Sequence, residues 1–265
     1  MRYSLCLSYD GSAFCGWQVQ PNAPSVQASL EATLSRLLNR PVAVTGAGRT
    51  DTGVHACGYV AHFDWDGILP FEASDFIYKL NAMLPRSIVV HSVSEVAEDF
   101  HARFSARRRE YTYFIHRQKD PFVAAFSWQC GFPELDFEAM NAACQYLLGT
   151  HDFSCFEKTG GDNKTSLCTI FEAFREPYTP SHLQVMGAGE GIPSETHGHP
   201  QYWYFRIAAD RFLRNMVRAI VGSLIEVGRG KRPPEWIAEL INTGTRSDAG
   251  ESVPGHALFL SKVLY

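Results

Sequence analysis

The sequence predicts an α+β fold, with mixed α/β units in which strands and helices alternate along the chain. Residues 3–9 alternate between apolar and polar side chains, as in a strand with one buried face. Leu30, Leu34 and Leu38 recur at helical spacing after Ser25, a residue type favoured at helix N-termini. An aromatic and β-branched run over 110–115 opens the second half. A chain of 265 residues, 45% hydrophobic, can bury one large core or two modest ones.

In the first half of the chain, residues 1–104, the pattern predicts a mixture of strands and helices. After the strand at 3–9, a helix begins at Ser25 and ends before Pro41, because a proline ring cannot continue a helix. The other predicted elements are strands over 42–45 and 59–65, a helix from Ser74 or Asp75 to Leu84, and a strand over 88–96.

In the second half of the chain, residues 105–265, the pattern again predicts a mixture of strands and helices. Its strand at 110–115 precedes a helix that Asp136 caps and that ends near Gly149. Further strands are expected near 168–174, 182–186, 201–208 and 257–264, and further helices over 210–227 and from about Glu235. The segment 187–200 is rich in Gly, Glu, His and Pro, which is typical of a mobile hairpin insertion.

One carboxylate, Asp51, follows a β-branched run and lies in a glycine-bracketed turn two residues after Arg49. Such a position predicts a side chain that projects from a strand end, and a nearby cation favours its ionised form. The structural alternative is a turn residue paired on the surface, since Asp and Gly are common in turns. Asp51-Thr52-Gly53 also spells the aspartic-protease triplet, but a protease dyad needs a second carboxylate that shares a proton, and this chain has no second triplet.

Composition argues against several classes of site and location. The seven cysteines include no Cys-x-x-Cys pair, so we expect neither a zinc site nor a disulfide framework. The pair His197 and His199 could bind a metal only weakly, and a solvated turn is the simpler interpretation. No apolar run approaches the roughly 18 to 20 residues of a membrane span, and we expect a cytoplasmic protein that binds neither membrane nor metal.

Positive charge is clustered although the formal net charge is −4. One cluster comprises Arg103, Arg107, Arg108 and Arg109, a second Arg211, Arg214 and Arg218, and a third Arg229, Lys231 and Arg232. Each cluster alone is most simply a solvated face. If 210–227 is a helix, however, the second cluster forms one narrow stripe opposite an apolar face, which is typical of a surface that binds phosphates.

Several motifs occur in an order that resembles the tRNA pseudouridine synthase A family over nearly the whole chain. They are Tyr9-Asp10-Gly11 with Gly16-Trp17-Gln18, Ser25-Val26-Gln27, Gly48 to His55, Leu84-Pro85, Phe100 to Ala106, Arg109 to Tyr113, His151-Asp152-Phe153, Phe212 to Arg218 and Gly222 to Gly228. The sequence departs from the family's usual pattern at Thr52, Tyr59, Ser87 and Lys164.

The resemblance implies a uridine-isomerising enzyme that acts at positions 38, 39 and 40 in the anticodon stem-loop of tRNA. It implies that Asp51 is the nucleophile, with Arg49 beside it, Tyr111 as the active-site tyrosine and Arg214 as a basic partner of the aspartate. It also implies a homodimer, no cofactor, and two α/β domains on a continuous, mostly antiparallel sheet with a central RNA-binding and catalytic cleft. Candidate RNA contacts are Tyr111, Arg103, Arg107, Arg108, Arg109, Lys164, Arg211 and Arg218.

Two other functions stay open from the residues alone. A non-catalytic RNA-binding protein of the same fold would not need Asp51, Arg49, Tyr111 and Arg214 together, which argues against it. A carboxylate-dependent hydrolase is the second alternative. The sequence also leaves open whether Asp51 attacks C1′ of the ribose or removes the 2′ proton to form a glycal.

Overall fold

The computed structural model describes residues 1–160, 164–186, 195–196 and 199–265, and these contain six α-helices and twelve β-strands. The helices are α1 Val26–Leu38, α2 Ala73–Met83, α3 Phe137–Gln145, α4 Ser181–Met186, α5 Met216–Gly228 and α6 Trp236–Thr243. The strands are β1 Arg2–Tyr9, β2 Thr45–Gly46, β3 His55–Asp64, β4 Ile88–Val96, β5 Arg108–His116, β6 Trp128–Gln129, β7 Gly149–Asp152, β8 Leu167–Pro177, β9 Glu195–Thr196, β10 His199–Pro200, β11 Tyr202–Ala209 and β12 Leu258–Leu264. The mixture confirms the predicted α+β class.

The chain forms two compact units. Unit 1 comprises Met1–Arg109 and Phe259–Tyr265, and unit 2 comprises Glu110–Leu258. The sequence places the boundary at residues 104 and 105, five residues earlier, and assigns the closing strand to the second domain. The closing strand belongs to unit 1 because it pairs with β3, a contact between residues far apart in the sequence that local patterns do not reveal.

In unit 1 the strand order is β4, β1, β3, β12, with β2 also paired to β3. β12 runs parallel to β3, whereas β1, β2 and β4 pair antiparallel. The alternation expected for β1 is observed: Tyr3, Leu5, Leu7 and Tyr9 are buried. α1 begins after Ser25, whose hydroxyl accepts a hydrogen bond from the amide of Ala28 at 3.2 Å.

In unit 2 the strand order is β5, β11, β8, β7, with β6 parallel to β5. α3 begins after Asp136, whose carboxylate accepts from the amide of Ala139 at 2.8 Å, as predicted. Nearly every residue of α5 is buried, so this helix forms the centre of the unit's core rather than an amphipathic surface helix.

Three predicted elements are wrong. The helix expected at 210–227 begins only at Met216, because Asn215 takes a left-handed backbone conformation (φ 63°) that cannot belong to a right-handed helix. Arg211 and Arg214 therefore precede α5, and the predicted helical stripe of three arginines does not form. Residues 182–186 are in helix α4 rather than a strand, and the strand expected at 42–45 is limited to the two-residue β2.

The predicted insertion at 187–200 falls mostly outside the described residues, as does His197. Its described part, Glu195–Thr196 and His199–Pro200, forms the short antiparallel pair β9 and β10.

Candidate active site

Asp51 lies in the loop that joins β2 to β3 in unit 1. The preceding residue, Thr50, is buried, whereas Asp51 is half-buried and Arg49 is exposed. The Asp51 carbonyl accepts a hydrogen bond from the Val54 amide at 3.1 Å, and Gly53 has a φ of 75°, a conformation that favours glycine. Asp51 is therefore a partly exposed residue in a turn whose backbone is fixed on both sides.

The two N-terminal motifs pack against this loop. The Trp17 amide donates to the Thr50 carbonyl at 3.2 Å, and the Tyr9 hydroxyl shares a hydrogen bond of 2.9 Å with the Thr50 hydroxyl. At Gly16, where φ is 94°, an added Cβ would lie 2.3 Å from the Thr50 carbonyl oxygen. A side chain at Gly16 would thus push the loop away, which gives a physical reason for the glycine before Trp17.

A second set of contacts, which we call the loop clamp, holds Ala47 and Gly48 just before Arg49. It consists of Tyr59 and Arg109. The Tyr59 hydroxyl donates to the Gly48 carbonyl and accepts from the Gly48 amide at 3.4 Å. The buried Arg109 guanidinium donates to the Ala47 carbonyl from Nη2 at 3.0 Å and from Nε at 3.3 Å.

Further contacts hold the two residues of the loop clamp, Tyr59 and Arg109, in place. The Tyr59 ring stacks on Trp17 with ring centroids 4.1 Å apart. Arg109 also donates to the carbonyls of Arg103 at 2.5 Å and of Ala106 at 3.4 Å, so one guanidinium joins the Asp51 loop to the turn at 101–106.

The sequence pattern identifies Tyr59 only as a departure from the family's usual residue, and Arg109 only as one cation of a cluster. Neither role was predicted, because a hydrogen bond to a backbone carbonyl 62 positions away leaves no local signal.

A pocket of about 180 Å³ opens beside the Asp51 loop. Arg49 and Arg103 both line it, together with Trp17, Gln18 and Gly48. The structure thus brings two predicted cationic residues to one concave surface of unit 1. Of the rest of the arginine cluster, Arg107 is exposed, Arg108 is half-buried, and Arg109 is buried within the clamp.

His55 ends the same loop and was not predicted to have a role. Its ring is buried, its Nδ1 accepts from the Gly11 amide at 3.0 Å, and it stacks on Phe259 of β12 with centroids 4.6 Å apart. An added Cβ at Gly11 would lie 2.0 Å from the Val54 carbonyl oxygen. The Tyr9-Asp10-Gly11 motif therefore fixes the end of the Asp51 loop as Gly16-Trp17 fixes its start.

Unit 2 holds the other predicted site residues. Tyr111 lies on β5 and is half-buried, and its ring meets Phe212 edge to face with centroids 5.1 Å apart and planes at 87°. Arg214 is exposed in the turn before α5, and its carbonyl accepts from the Lys158 amide at 3.0 Å. Phe212, which the sequence pattern identifies only as part of a motif, becomes a functional candidate through this contact with the Tyr111 ring.

The remaining cationic residues of unit 2 have different environments. Arg211 is half-buried after β11, Arg218 is half-buried on α5, and Lys164 is exposed. Arg218 donates from Nε to the Val253 carbonyl at 2.7 Å, so part of its guanidinium is used within the unit. In the described parts of the chain no group of three or more His, Cys, Asp or Glu side chains is placed to hold a metal ion. No helix among those residues is long and apolar enough to cross a membrane.

Comparisons with known proteins agree with this arrangement of motifs. The sequence profile of the family described as tRNA pseudouridine synthase matches residues 5–105 and 143–265. The chain is 44% identical to tRNA pseudouridine synthase A of Porphyromonas gingivalis, covering 100% of this chain and 97% of that protein. It is 45% identical to the protein of that name from Parabacteroides distasonis (100% and 96% covered) and 40% identical to tRNA pseudouridine synthase A 2 of Clostridium perfringens (98% of each). The chain therefore belongs to the tRNA pseudouridine synthase family, whose members are isomerases that act on tRNA.

Proposed function

We propose that this chain isomerises uridine to pseudouridine at positions 38, 39 and 40 in the anticodon stem-loop of tRNA, with Asp51 as the nucleophile. The observation that carries the proposal is the Asp51 carboxylate itself. Asp51 is half-buried, and the backbone around it is held by Tyr9, Trp17 and the loop clamp. A carboxylate held in this way is preorganised to meet a reacting sugar carbon.

The reaction needs a carboxylate at the sugar. The N1 to C1′ glycosidic bond breaks, the uracil turns, a C5 to C1′ bond forms, and the C5 proton is lost as N1 gains one. Asp51 acts either by forming an ester bond to C1′, which C5 later displaces, or by removing the 2′ proton to give a glycal. Substrate and product are isomers, so the reaction involves no net oxidation or reduction, and we propose that it uses no cofactor.

Tyr111 is proposed to hold the detached base. Access to C1′ requires the target nucleotide to leave the helical stack, at a cost of a few kcal/mol. The Tyr111 ring offers a face for the uracil, and the edge-to-face contact with Phe212 keeps that face in one orientation. Its hydroxyl is proposed to assist removal of the C5 proton.

The basic residues divide into two proposed roles. Arg49 and Arg214 are proposed to act on the Asp51 carboxylate and the reacting nucleotide. Contacts to RNA phosphates, which position the substrate without reading its sequence, are assigned to Arg103, Arg107, Arg108, Lys164, Arg211 and Arg218. Arg109 was predicted to share that task, but we assign it to the loop clamp because its guanidinium donates to carbonyls of Ala47, Arg103 and Ala106.

A homodimer, a cytoplasmic location and the division into two α/β domains complete the proposal. They follow from the resemblance and from the sequence pattern, and each can be checked separately, by sedimentation, by cell fractionation and by expression of the separate parts.

The proposal is tested on tRNA transcripts that carry a single uridine at position 38, 39 or 40. Incubation with the purified chain should convert that uridine to pseudouridine, detected by chemical derivatisation and primer extension, and transcripts with cytidine at all three positions should give no product in the anticodon arm. Tight binding without product would favour a non-catalytic RNA-binding protein. Product only at other positions would overturn the assignment of the substrate site, and peptide cleavage that requires Asp51 would revive the hydrolase.

A further inference from the structure

Phe104 is an aromatic side chain that the fold leaves in solvent. It is 74% exposed, although burial of a phenylalanine is strongly favourable. It belongs to the motif from Phe100 to Ala106, of which the proposed function uses only Arg103, as a phosphate contact. Single exposed apolar side chains are common, so exposure alone does not assign a role.

The turn that carries Phe104 is unusually well fixed for a surface turn. The imidazole Nδ1 of His101 accepts from the amides of Arg103 at 3.1 Å and Phe104 at 3.3 Å. The Ser105 hydroxyl accepts from the His101 amide at 2.9 Å, and the Ser105 amide donates to the His101 carbonyl at 2.8 Å. These bonds hold the backbone of Phe104 in one conformation.

The residue between these groups, Ala102, ties the turn to the core of unit 1. Its amide donates to Nδ1 of the buried His62 at 3.1 Å, and its carbonyl accepts from the Tyr265 hydroxyl at 2.7 Å. Together with the bond from Arg109 to the Arg103 carbonyl, these contacts make the turn a rigid support rather than a loose loop.

Side chains also fix the ring of Phe104. The His101 ring packs against it with centroids 4.3 Å apart, and the Arg103 guanidinium carbon lies 5.5 Å from its centroid. A ring that keeps one orientation while most of its surface stays in water has already lost the rotational entropy that binding would otherwise cost. The ring is thus prepared to receive a flat apolar partner.

The charge around the ring indicates which partner. Arg103 contacts Phe104 and also lines the pocket that contains Arg49, beside the Asp51 loop. The Phe104 ring suits a partner with a planar, apolar face, and the Arg103 guanidinium suits a partner with an anionic group at its edge. A nucleobase with its phosphate has this chemistry, and stacking on an aromatic side chain beside arginine is the usual way in which proteins hold unpaired bases.

We propose that Phe104 is a stacking platform for an unpaired base of the RNA substrate, with Arg103 contacting the adjoining phosphate. This inference rests on the proposed function, because it takes RNA as the ligand of the surface around Asp51. It adds a base-binding residue that lies outside the proposed catalytic group.

Substitution at Phe104 with a measurement of RNA affinity tests the proposal. Phe104→Ala and Phe104→Leu should each weaken binding of the tRNA transcript about 5- to 100-fold, since both remove the aromatic face. Phe104→Tyr should stay within about threefold of the wild type. Because Phe104 is uncharged, its loss should leave the salt dependence of binding unchanged, whereas Arg103→Ala should make it shallower by about one phosphate contact.

Tyr78 on α2 provides the matched control, since it is equally exposed at 74% and lies in the same unit. Tyr78→Ala should bind tRNA as the wild type does. Unchanged affinity of Phe104→Ala and Phe104→Leu would overturn the inference, as would an equal loss in Phe104→Tyr. A change of oligomeric state on sedimentation, with RNA affinity intact, would overturn it in favour of a second copy of the chain.

The two proposals fail in different ways. If the wild type makes pseudouridine and Phe104→Leu binds tRNA normally, only the stacking platform is wrong. If no pseudouridine forms but the Phe104 variants still lose RNA affinity, the proposed reaction is wrong and the platform stands.

Discussion

At the scale of single residues, the Asp51 loop combines a fixed backbone with a partly exposed side chain. Thr50 is buried and holds two hydrogen bonds, while the next residue, Asp51, is half-buried. Tyr111 in unit 2 has the same character, with its ring plane set by Phe212 and part of its surface open. Rigidity of this kind lowers the entropy lost when a substrate is bound in a reactive geometry.

Substitution of Tyr111 separates its two proposed tasks. Tyr111→Leu removes both the ring and the hydroxyl, and should lose nearly all turnover. Tyr111→Phe keeps the ring and its contact with Phe212, and should retain tRNA affinity while the single-turnover rate falls about 10²- to 10⁴-fold, the usual contribution of a general acid or base. Equal, mild effects of the two substitutions would show that Tyr111 has neither task.

The sequence predicts local structure at single residues where a few adjacent residues determine it. The glycine-bracketed turn around Asp51 and the cap at Asp136 are both visible in a few adjacent letters. The loop clamp is not visible, because Tyr59 and Arg109 meet Ala47 and Gly48 only through the fold. The sequence pattern predicts that Arg109 binds phosphate, but in the structure its guanidinium donates hydrogen bonds to the backbone carbonyls of Ala47 and Arg103.

At the scale of elements, the loop clamp gives Tyr59 a measurable role. Tyr59→Phe keeps the stacking on Trp17 but removes the hydrogen bonds to Gly48. We expect the single-turnover rate at saturating tRNA to fall about tenfold or more, because a small displacement of a catalytic group is costly, while tRNA affinity stays within about threefold. The stability lost should be about 0.5 to 1.5 kcal/mol.

Tyr113 offers a matched control for this substitution. It is also a buried strand tyrosine, and its hydroxyl donates to a backbone carbonyl, that of Pro254, at 3.0 Å. Tyr113→Phe should therefore lose similar stability without the loss of rate. If both variants slow the reaction equally, Tyr59 contributes only to stability and the clamp has no positioning role.

The start of α5 shows why one element was misjudged. Leu213, Met216, Val217 and Ile220 follow a helical period, so the pattern extends the helix back towards Asp210. The chain instead turns at Asn215, whose left-handed conformation is supported by a hydrogen bond from its side-chain amide to the Ser252 hydroxyl. Asparagine tolerates this conformation, and its partner is 37 positions away, so the interruption is set by tertiary structure.

At the scale of the whole molecule, a chain of net charge −4 binds an RNA by concentrating its positive charge. In unit 1 the concentration is visible as the pocket shared by Arg49 and Arg103. In unit 2, Arg214 and Lys164 are exposed. The sequence predicted the fold class, and the role of these cations in RNA binding stays a prediction. The division at Arg109 and the return of the last strand to unit 1 depend on pairing between distant segments and could not be read locally.

Stability should depend on pH through His62. Burial is the largest cause that lowers the pKa of this imidazole from 6.5 to about 4, with smaller contributions from Arg2 and His101 and an opposing effect of Asp64. Its Nδ1 accepts the Ala102 amide, which requires an unprotonated nitrogen. Between pH 6.5 and 4 the unfolded chain binds a proton that the folded chain does not, so stability is present above pH 6.5 and is lost as pH falls towards 4.

Thermal unfolding at a series of pH values checks this prediction. The wild type should lose more stability between pH 7 and pH 4 than His62→Asn, whose amide oxygen can still accept from Ala102 but does not titrate. Parallel pH profiles for the two proteins would show that His62 does not contribute to the acid sensitivity.

The central claim is that Asp51 performs the isomerisation, and Asp51→Asn tests it most directly. The amide keeps the shape of the side chain but is a poor nucleophile, and the hydrogen bonds that hold Ala47, Gly48 and Thr50 stay in place. Under single-turnover conditions with saturating tRNA, the account predicts no pseudouridine from Asp51→Asn, with tRNA affinity within severalfold of the wild type. Pseudouridine formation within tenfold of the wild-type rate would contradict it.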